Sequence, residues 1–224
     1  MALSTFSELK TSIANWLNRS DLTDEIADFI KLTEADLNAK LRIRQMEQVD
    51  SLTINAETVT VPTGFIAVRS LHIASSGTKH NVEYITPANM FKIKGGSTTG
   101  MPRTYTIESD NGTERFRFAP APDTSYTGSL QYYKAFDSLS DSTTSNYILS
   151  THPAIYLYGS LYHASNFLGG YDPAQTQQWS GMYQVALERA ENNDRQDSYG
   201  GSPVVQRTDV STDLSFYRRK TAST

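Results

Sequence analysis

The spacing of polar and apolar positions changes along the chain, and each change marks a different kind of element. Between residues 5 and 18, Phe6, Leu9, Ile13, Trp16 and Leu17 recur every three or four residues, which lays one apolar stripe along a helix. Thr5 followed by Glu8 fits a capping box, in which each side chain satisfies a free N–H of the first turn. A second stripe, Leu22, Ile26, Phe29, Ile30, Thr33, Leu37 and Leu41, follows the short polar link Asn18-Arg19-Ser20-Asp21. So brief a connection makes the two helices antiparallel neighbours.

From Val49 the period falls to two. Leu52, Ile54, Val59 and Val61 alternate with polar residues up to a turn at Pro62-Thr63-Gly64. Ile66, Val68, Leu71 and Ile73 continue as strand, and the alternation slips near Ser70, which predicts a β-bulge. A short strand over 82–85 precedes Thr86-Pro87, an N-cap and first helical residue for one or two turns through Met90 and Phe91. Tyr105 and Ile107, then Phe116 and Phe118, flank Asp110-Asn111-Gly112. Asn-Gly tolerates the positive φ of a tight hairpin turn, so this is the clearest hairpin in the chain. A last strand near 128–136 carries Leu130, Tyr132 and Tyr133, and a polar loop follows.

Helical spacing returns from Pro153 to Leu168, with Leu157, Leu161, Ala164 and Leu168 as its stripe, and Gly169-Gly170 stops it. Asp172-Pro173 opens another helix with Trp179, Met182, Tyr183, Ala186 and Ala190 inward, ending near Arg195. These elements predict an α+β chain: a four-helix bundle with a small antiparallel β domain inserted between helices 2 and 3, plus an extended C-terminal arm. The boundaries are 1–48 for the first helical hairpin, 49–136 for the β domain, 137–199 for the second helix pair and 200–224 for the arm. In the arm, small polar and apolar residues alternate with no helical period.

Composition narrows the chemistry. The 224 residues include no Cys, which removes disulfides, thiol catalysis and zinc knuckles together and favours assembly in a cytosol. Charged residues are 20% and the net charge is −4, so there is no global basic footprint for nucleic acid. No apolar run approaches the roughly 18 residues of a membrane span. The segment MALSTFSELK has no charged n-region before an apolar h-region, so no signal peptide is expected. The four His (His72, His80, His152 and His163) match no metal-binding spacing. Neither a metal nor any other cofactor is expected. There is no Gly-x-Ser-x-Gly elbow for a nucleophile. The loop Gly95 to Gly100 lacks the Gly-Lys-Ser/Thr ending of a phosphate loop, and Lys92 and Lys94 precede it instead. No catalytic residue is assigned, and the chain is not expected to be an enzyme. Arg115 and Arg117 alternate with Phe116 and Phe118, which predicts a solvated strand face opposite a buried one.

The aromatic residues are more informative. The 13 Tyr concentrate in the second half, and the helix from Pro153 carries Ile155, Tyr156, Leu157, Tyr158, Leu161, Tyr162 and Phe167 on more than one side. A helix apolar around most of its girth needs a further neighbour. Tyr and Trp suit surfaces that a partner covers. Tyr156, Tyr158, Tyr162 and Trp179 are therefore the candidate subunit interface.

The residues Trp16 to Leu22, Asp28 to Glu34 and Leu41 to Glu47 resemble the opening helices of tailed-bacteriophage head-to-tail adaptor (connector) proteins. The order of later features is similar as well: Val-Pro-x-Gly-Phe from Val61 to Phe65, Leu-x-Tyr-Tyr from Leu130 to Tyr133, His152 to Gly159, and a helix with Trp179. The resemblance covers most of 3–195. It implies a structural virion protein at the neck between head and tail, in a homo-oligomeric ring commonly of twelve copies beneath the portal. Such a ring extends the channel through which double-stranded DNA passes without sequence-specific binding, and seats tail or nozzle proteins. It also implies a C-terminal arm that docks on the portal; here the anchors would be Phe216 and Tyr217 beside Arg218, Arg219 and Lys220. Two other classes compete. One is a tail-associated peptidoglycan hydrolase, which would need paired carboxylates such as Glu34, Asp36 or Glu47, although exposed helix charge is the default for these. The other is a different virion part, such as a tail-completion protein.

Overall fold

The computed structural model of the protein describes residues 3–75, 77–93, 99–169 and 172–199. The chain opens with α1 (Phe6–Leu17) and α2 (Thr23–Lys40). The capping box forms: the Thr5 side chain accepts the Glu8 N–H, and the Glu8 carboxylate accepts the Thr5 N–H. Asn18, at φ 51°, ends α1 in the left-handed region. A 3-10 turn over Arg44–Met46 leads into β1 (Glu47–Ile54), β2 (Thr58–Thr60), β3 (Phe65–Ser75), β4 (Thr78–Asn81) and β5 (Glu83–Tyr84). Then come α3 (Pro87–Ile93), β6 (Thr104–Asp110), β7 (Thr113–Ala119) and β8 (Tyr126–Lys134). The chain returns to helices with α4 (Tyr147–Thr151), α5 (Pro153–Leu168) and α6 (Pro173–Tyr199).

A four-helix bundle with a small β domain is not the architecture. The described residues form six helices and eight strands, the strands in two four-stranded sheets ordered β1-β8-β3-β4 and β2-β7-β6-β5. In a bundle each helix buries one stripe. Here α5 buries Ile155, Tyr156, Leu157, Gly159, Ser160, Leu161, Ala164 and Ser165, which lie on several sides of the helix. It is a hub on which α1, α2, α4 and α6 all pack. The all-round apolar character that looked like a vacancy for another subunit is largely filled within the chain.

The β region spans about the expected stretch of chain but forms two sheets with a core of its own. Leu52, Ile54, Leu71, Ile73, Leu130 and Tyr132 of the first sheet meet Tyr105, Phe116 and Phe118 of the second in one buried cluster. Phe65 bridges the two sheets, edge-on to Phe116 at 5.6 Å and stacked on Tyr132 at 5.7 Å. Pairing is antiparallel except for β5 with β6, which run parallel. The bulge is where the alternation slips, with register shifts between Phe65 and Ala67 and between Val68 and Ser70. The β6–β7 hairpin turns through Asn111 at φ 49° and Gly112 at φ 77°. Residues 94–98 of the glycine-rich loop lie outside the described residues.

Two local expectations change. Trp16 and Met182 sit on apolar stripes yet are 51% and 43% exposed, because both lie at the edge of their stripe. The helical turn α4 was not expected, since three apolar residues in a row have no period; Asn146 caps it by accepting the Leu149 N–H.

Arg115 and Arg117 face away from the buried Phe116 and Phe118, as the alternation requires. They are not a free basic stripe. Arg117 makes a two-bond pair with Glu108 at 2.8 and 2.6 Å and reaches Glu57 at 2.5 Å, while Arg115 pairs with Asp110 at 3.2 Å. The Glu108 bonds and the Glu57 bond hold the Arg117 guanidinium above its ordinary value, against the opposing effect of burial. Arg117→Met should therefore lower stability by about 1–2 kcal/mol, seen as a lower urea midpoint with unchanged slope. An unaltered midpoint would show that the two carboxylates do not need the cation.

Candidate assembly surface

The surface is built on α5. Pro153 stands in its first turn and Gly169, at φ 59°, ends it in the left-handed region, so its length is set by local chemistry at both ends. Tyr158 and Tyr162 are four residues apart and share one half-buried stripe. The Trp16 ring of α1 stands edge-on to Tyr158 at 6.0 Å, with its own outer half exposed. Beyond Tyr162 the stripe opens into a groove of about 450 Å³ between α5 and α6, lined among others by Asn166, Thr176 and Gln177. Phe167, 62% exposed, packs against Phe29 of α2 at 5.5 Å, and Leu32 of α2 is also exposed. Met182 and Val185 extend the exposed apolar positions onto α6. Half-wet aromatic residues edged by Asn, Gln and Thr have the composition of a contact between separately soluble proteins.

Two of the four candidate interface residues do not reach this surface. Tyr156 is 1% exposed and Trp179 3%, both inside the helical core. Tyr156 is two residues from Tyr158, about 200° around the helix, so it faces the opposite way. Its hydroxyl accepts from Asn146 Nδ2 at 2.7 Å and donates to Glu34 Oε1 at 3.3 Å. Trp179 leads the inward stripe of α6 with Tyr183, Ala186, Leu187 and Ala190. The arm residues Phe216, Tyr217, Arg218, Arg219 and Lys220 lie outside the described residues.

Sequence reasoning missed the polar ties that hold the helices to the returning chain. Glu34, taken as an exposed helix charge, is buried. Its Oε1 accepts the Leu139 N–H at 2.7 Å as well as the Tyr156 hydroxyl, and Asn38 of α2 accepts the Phe136 N–H at 3.3 Å. Two side chains of α2 thus fasten the segment that leaves β8. Burial pushes the Glu34 carboxyl up, against the Leu139, Ser138 and Tyr156 hydrogen bonds. Burial, and then the Glu34 charge, push Tyr156 up too, although the Asn146 bond acts the other way. A signal was present in the sequence: Glu34 follows Thr33 on the apolar stripe, one position along the helix.

The carboxylates a hydrolase would pair are not brought together. Glu34 faces Leu139 and Tyr156, Asp36 pairs with Lys40 at 3.1 Å, and Glu47 is bonded to Arg69 and Gln131. His163 Nε2 lies 3.8 Å from Asp36, and burial holds the imidazole below its usual value, aided by Lys40 and opposed by Asp36. His72 and His80 fall on paired strands one residue out of step, hence on opposite faces. Among the described residues no three His, Asp or Glu side chains converge to hold a metal.

Titratable groups are tied into the fold, and aromatic and apolar side chains stand on the outside of the helices, the composition of a surface suited to protein contacts. A family model described as SU10 adaptor protein matches residues 4–207, and the chain belongs to that family. It is a bacteriophage adaptor protein, a structural component of the virion neck. No curated protein matches it. Among the described residues no helix is long and apolar enough to cross a membrane.

Proposed function

We propose that the chain forms a ring beneath the portal, of twelve copies, that extends the DNA channel and seats tail or nozzle proteins. The observation that carries this reading is the match of residues 4–207 to an adaptor family. Trp16, Tyr158 and Tyr162, with the groove beyond them, supply the lateral surface, in place of the buried Tyr156 and Trp179. Phe216 and Tyr217, beside Arg218, Arg219 and Lys220, are the portal-docking arm. Double-stranded DNA passes through without sequence-specific contacts. Copies assemble in the host cytoplasm as separate subunits, because a lateral surface this polar stays soluble until the portal raises the local concentration.

Sedimentation tests the reading directly. The full chain alone should run near its 24.9 kDa monomer mass and, with portal, in a large joint complex. A chain ending at Gly200 should fold normally and fail to join. Phe216→Ala with Tyr217→Ala should weaken docking by about 30-fold or more, since paired aromatic anchors beside Arg are typical hot spots. Arg218→Ala should act mainly through salt-dependent association. Unchanged co-sedimentation of the shortened chain would place portal docking on the helical body instead.

A further inference from the structure

We infer that the open edge of β1 is the seat of the chain's own residues 208–217, which add to that sheet as a further strand. A sheet edge presents unpaired backbone N–H and C=O groups, and proteins usually keep such edges short, charged or covered. Three of the four edges here are short: β2 has three residues, β4 four and β5 two. The fourth, β1, has eight, and its one described strand partner is β8. It contains no Pro and no Lys. Its inward-pointing charge, Asp50, is already engaged by the Tyr132 hydroxyl at 2.7 Å. Val49, on its outer face, is 61% exposed.

The end of α6 brings the occupant to this edge. Asp194 accepts the Arg44 backbone N–H at 3.0 Å, and Asp197 lies 3.7 Å from the Arg44 guanidinium, so α6 finishes beside the turn that feeds β1. Tyr199 is five residues past Asp194, about 7.5 Å further along the helix. Residues 200–207 span at most roughly 28 Å when extended, and β1 is about 27 Å long, so residues 208–217 reach either end of the edge.

The alternation in that segment matches what the edge requires. Val210, Thr212, Leu214 and Phe216 fall on one face of an extended chain, and Asp209, Ser211, Asp213 and Ser215 on the other. On β1 the inner row includes Leu52 and Ile54, which pack into the core between the sheets, while Ser51 and Thr53 are exposed on the outer row. A strand added there continues the apolar row past Leu52 and Ile54 and sets its Ser and Asp residues beside Ser51 and Thr53. Backbone bonds supply the affinity and the alternating side chains select the register. The inference does not rest on portal docking, although the two share residues: Phe216 and Tyr217 cannot lie along β1 and hold the portal at once.

Amide hydrogen exchange on the free protein, without portal, tests it. The full chain is compared with one ending at Gly200 and with a full chain carrying Thr212→Pro and Asp213→Pro. The adjacent prolines remove an N–H whichever parity faces β1, and leave Val210, Leu214, Phe216 and the basic cluster intact. About half of the β1 amides, those pointing away from β8, should exchange at least about tenfold more slowly in the full chain than in the other two. Equal exchange in the full and shortened chains overturns the inference, as does protection that survives the two prolines. Protection that fades on dilution also overturns it, since the strand would then come from another copy. Loss of portal binding by the Phe216 and Tyr217 variant, with β1 exchange unchanged in the proline variant, would separate the two roles and leave only portal docking.

Discussion

Gly159→Ala should destabilise the protein by about 2 kcal/mol and lower its melting temperature by roughly 4–8 °C. In the middle of a helix this substitution ordinarily stabilises, by about 1 kcal/mol. Here a Cβ would lie 2.5 Å from Thr33 Cγ2, 3.1 Å from Thr33 Oγ1 and 3.1 Å from Tyr183 Cε2. Neither neighbour has room to yield. Thr33 is fully buried on α2, and its hydroxyl donates to the Phe29 carbonyl at 2.9 Å and lies 3.4 Å from Ser160 Oγ. Tyr183 on α6 is 1% exposed. At Gly159, then, both α2 and α6 pack against the hub helix with no space for a Cβ, and overpacking there outweighs the gain in helix propensity. Thr33→Ser removes the methyl that clashes, so the double variant should recover most of the loss in a mutant cycle. A single variant that melts at or above the parent would mean that the three helices can move apart at little cost.

Removing the Glu34 carboxylate should have an effect of similar size. Glu34→Leu leaves the Leu139 N–H without its acceptor and takes one partner from the Tyr156 hydroxyl, at a cost of about 2–3 kcal/mol. Its pH dependence has a definite sign. Burial raises the folded carboxyl above its unfolded value, so the native state holds the proton more firmly than the unfolded chain does. That contribution to stability is fully present below the unfolded carboxylate value and is lost as pH rises through the raised folded value. Glu34→Gln retains an acceptor oxygen for Leu139 and cannot titrate. The stability of the parent relative to this variant should therefore fall as pH rises from the acid side toward neutrality, measured by urea midpoints at a series of pH values. A difference that stays constant across that range would show that the buried carboxyl does not titrate on folding.

Local chemistry accounts for the elements that were legible without the structure. The Thr5–Glu8 capping box, the Asn111-Gly112 turn, the bulge before Ser70, and Pro153 and Gly169 at the two ends of α5 are each decided within a few residues. Periodicity likewise identified the inward faces of β7 and α6, including Phe116, Phe118, Tyr183 and Ala186. Such signals depend on φ preferences, capping groups and the side-chain repeat, all of which act over one or two turns of chain.

What they do not carry is the identity of the neighbour. A stripe specifies that a face is buried, not against what, so α5 read as one corner of a bundle that lacked a partner, and Tyr156 and Trp179 read as candidates for a contact with another subunit. Only the tertiary structure surrounds α5 with other helices and turns Tyr156 toward Asn146 and Glu34. The same applies to the sheets. β1 pairs with β8, from the far end of the β region, and no local pattern selects that partner over the nearer β2 or β3. Gly159 and Glu34 are the sharpest cases, because a missing Cβ and a buried carboxylate acquire their roles only from residues such as Tyr183 and Leu139, far away in the chain. Where elements begin, end and turn their apolar faces is legible along the chain, because those choices are made by short-range sterics and hydrogen bonding. Which faces meet, and which aromatic side chains are left outside, follows only from the tertiary structure, because packing joins residues that the chain keeps far apart.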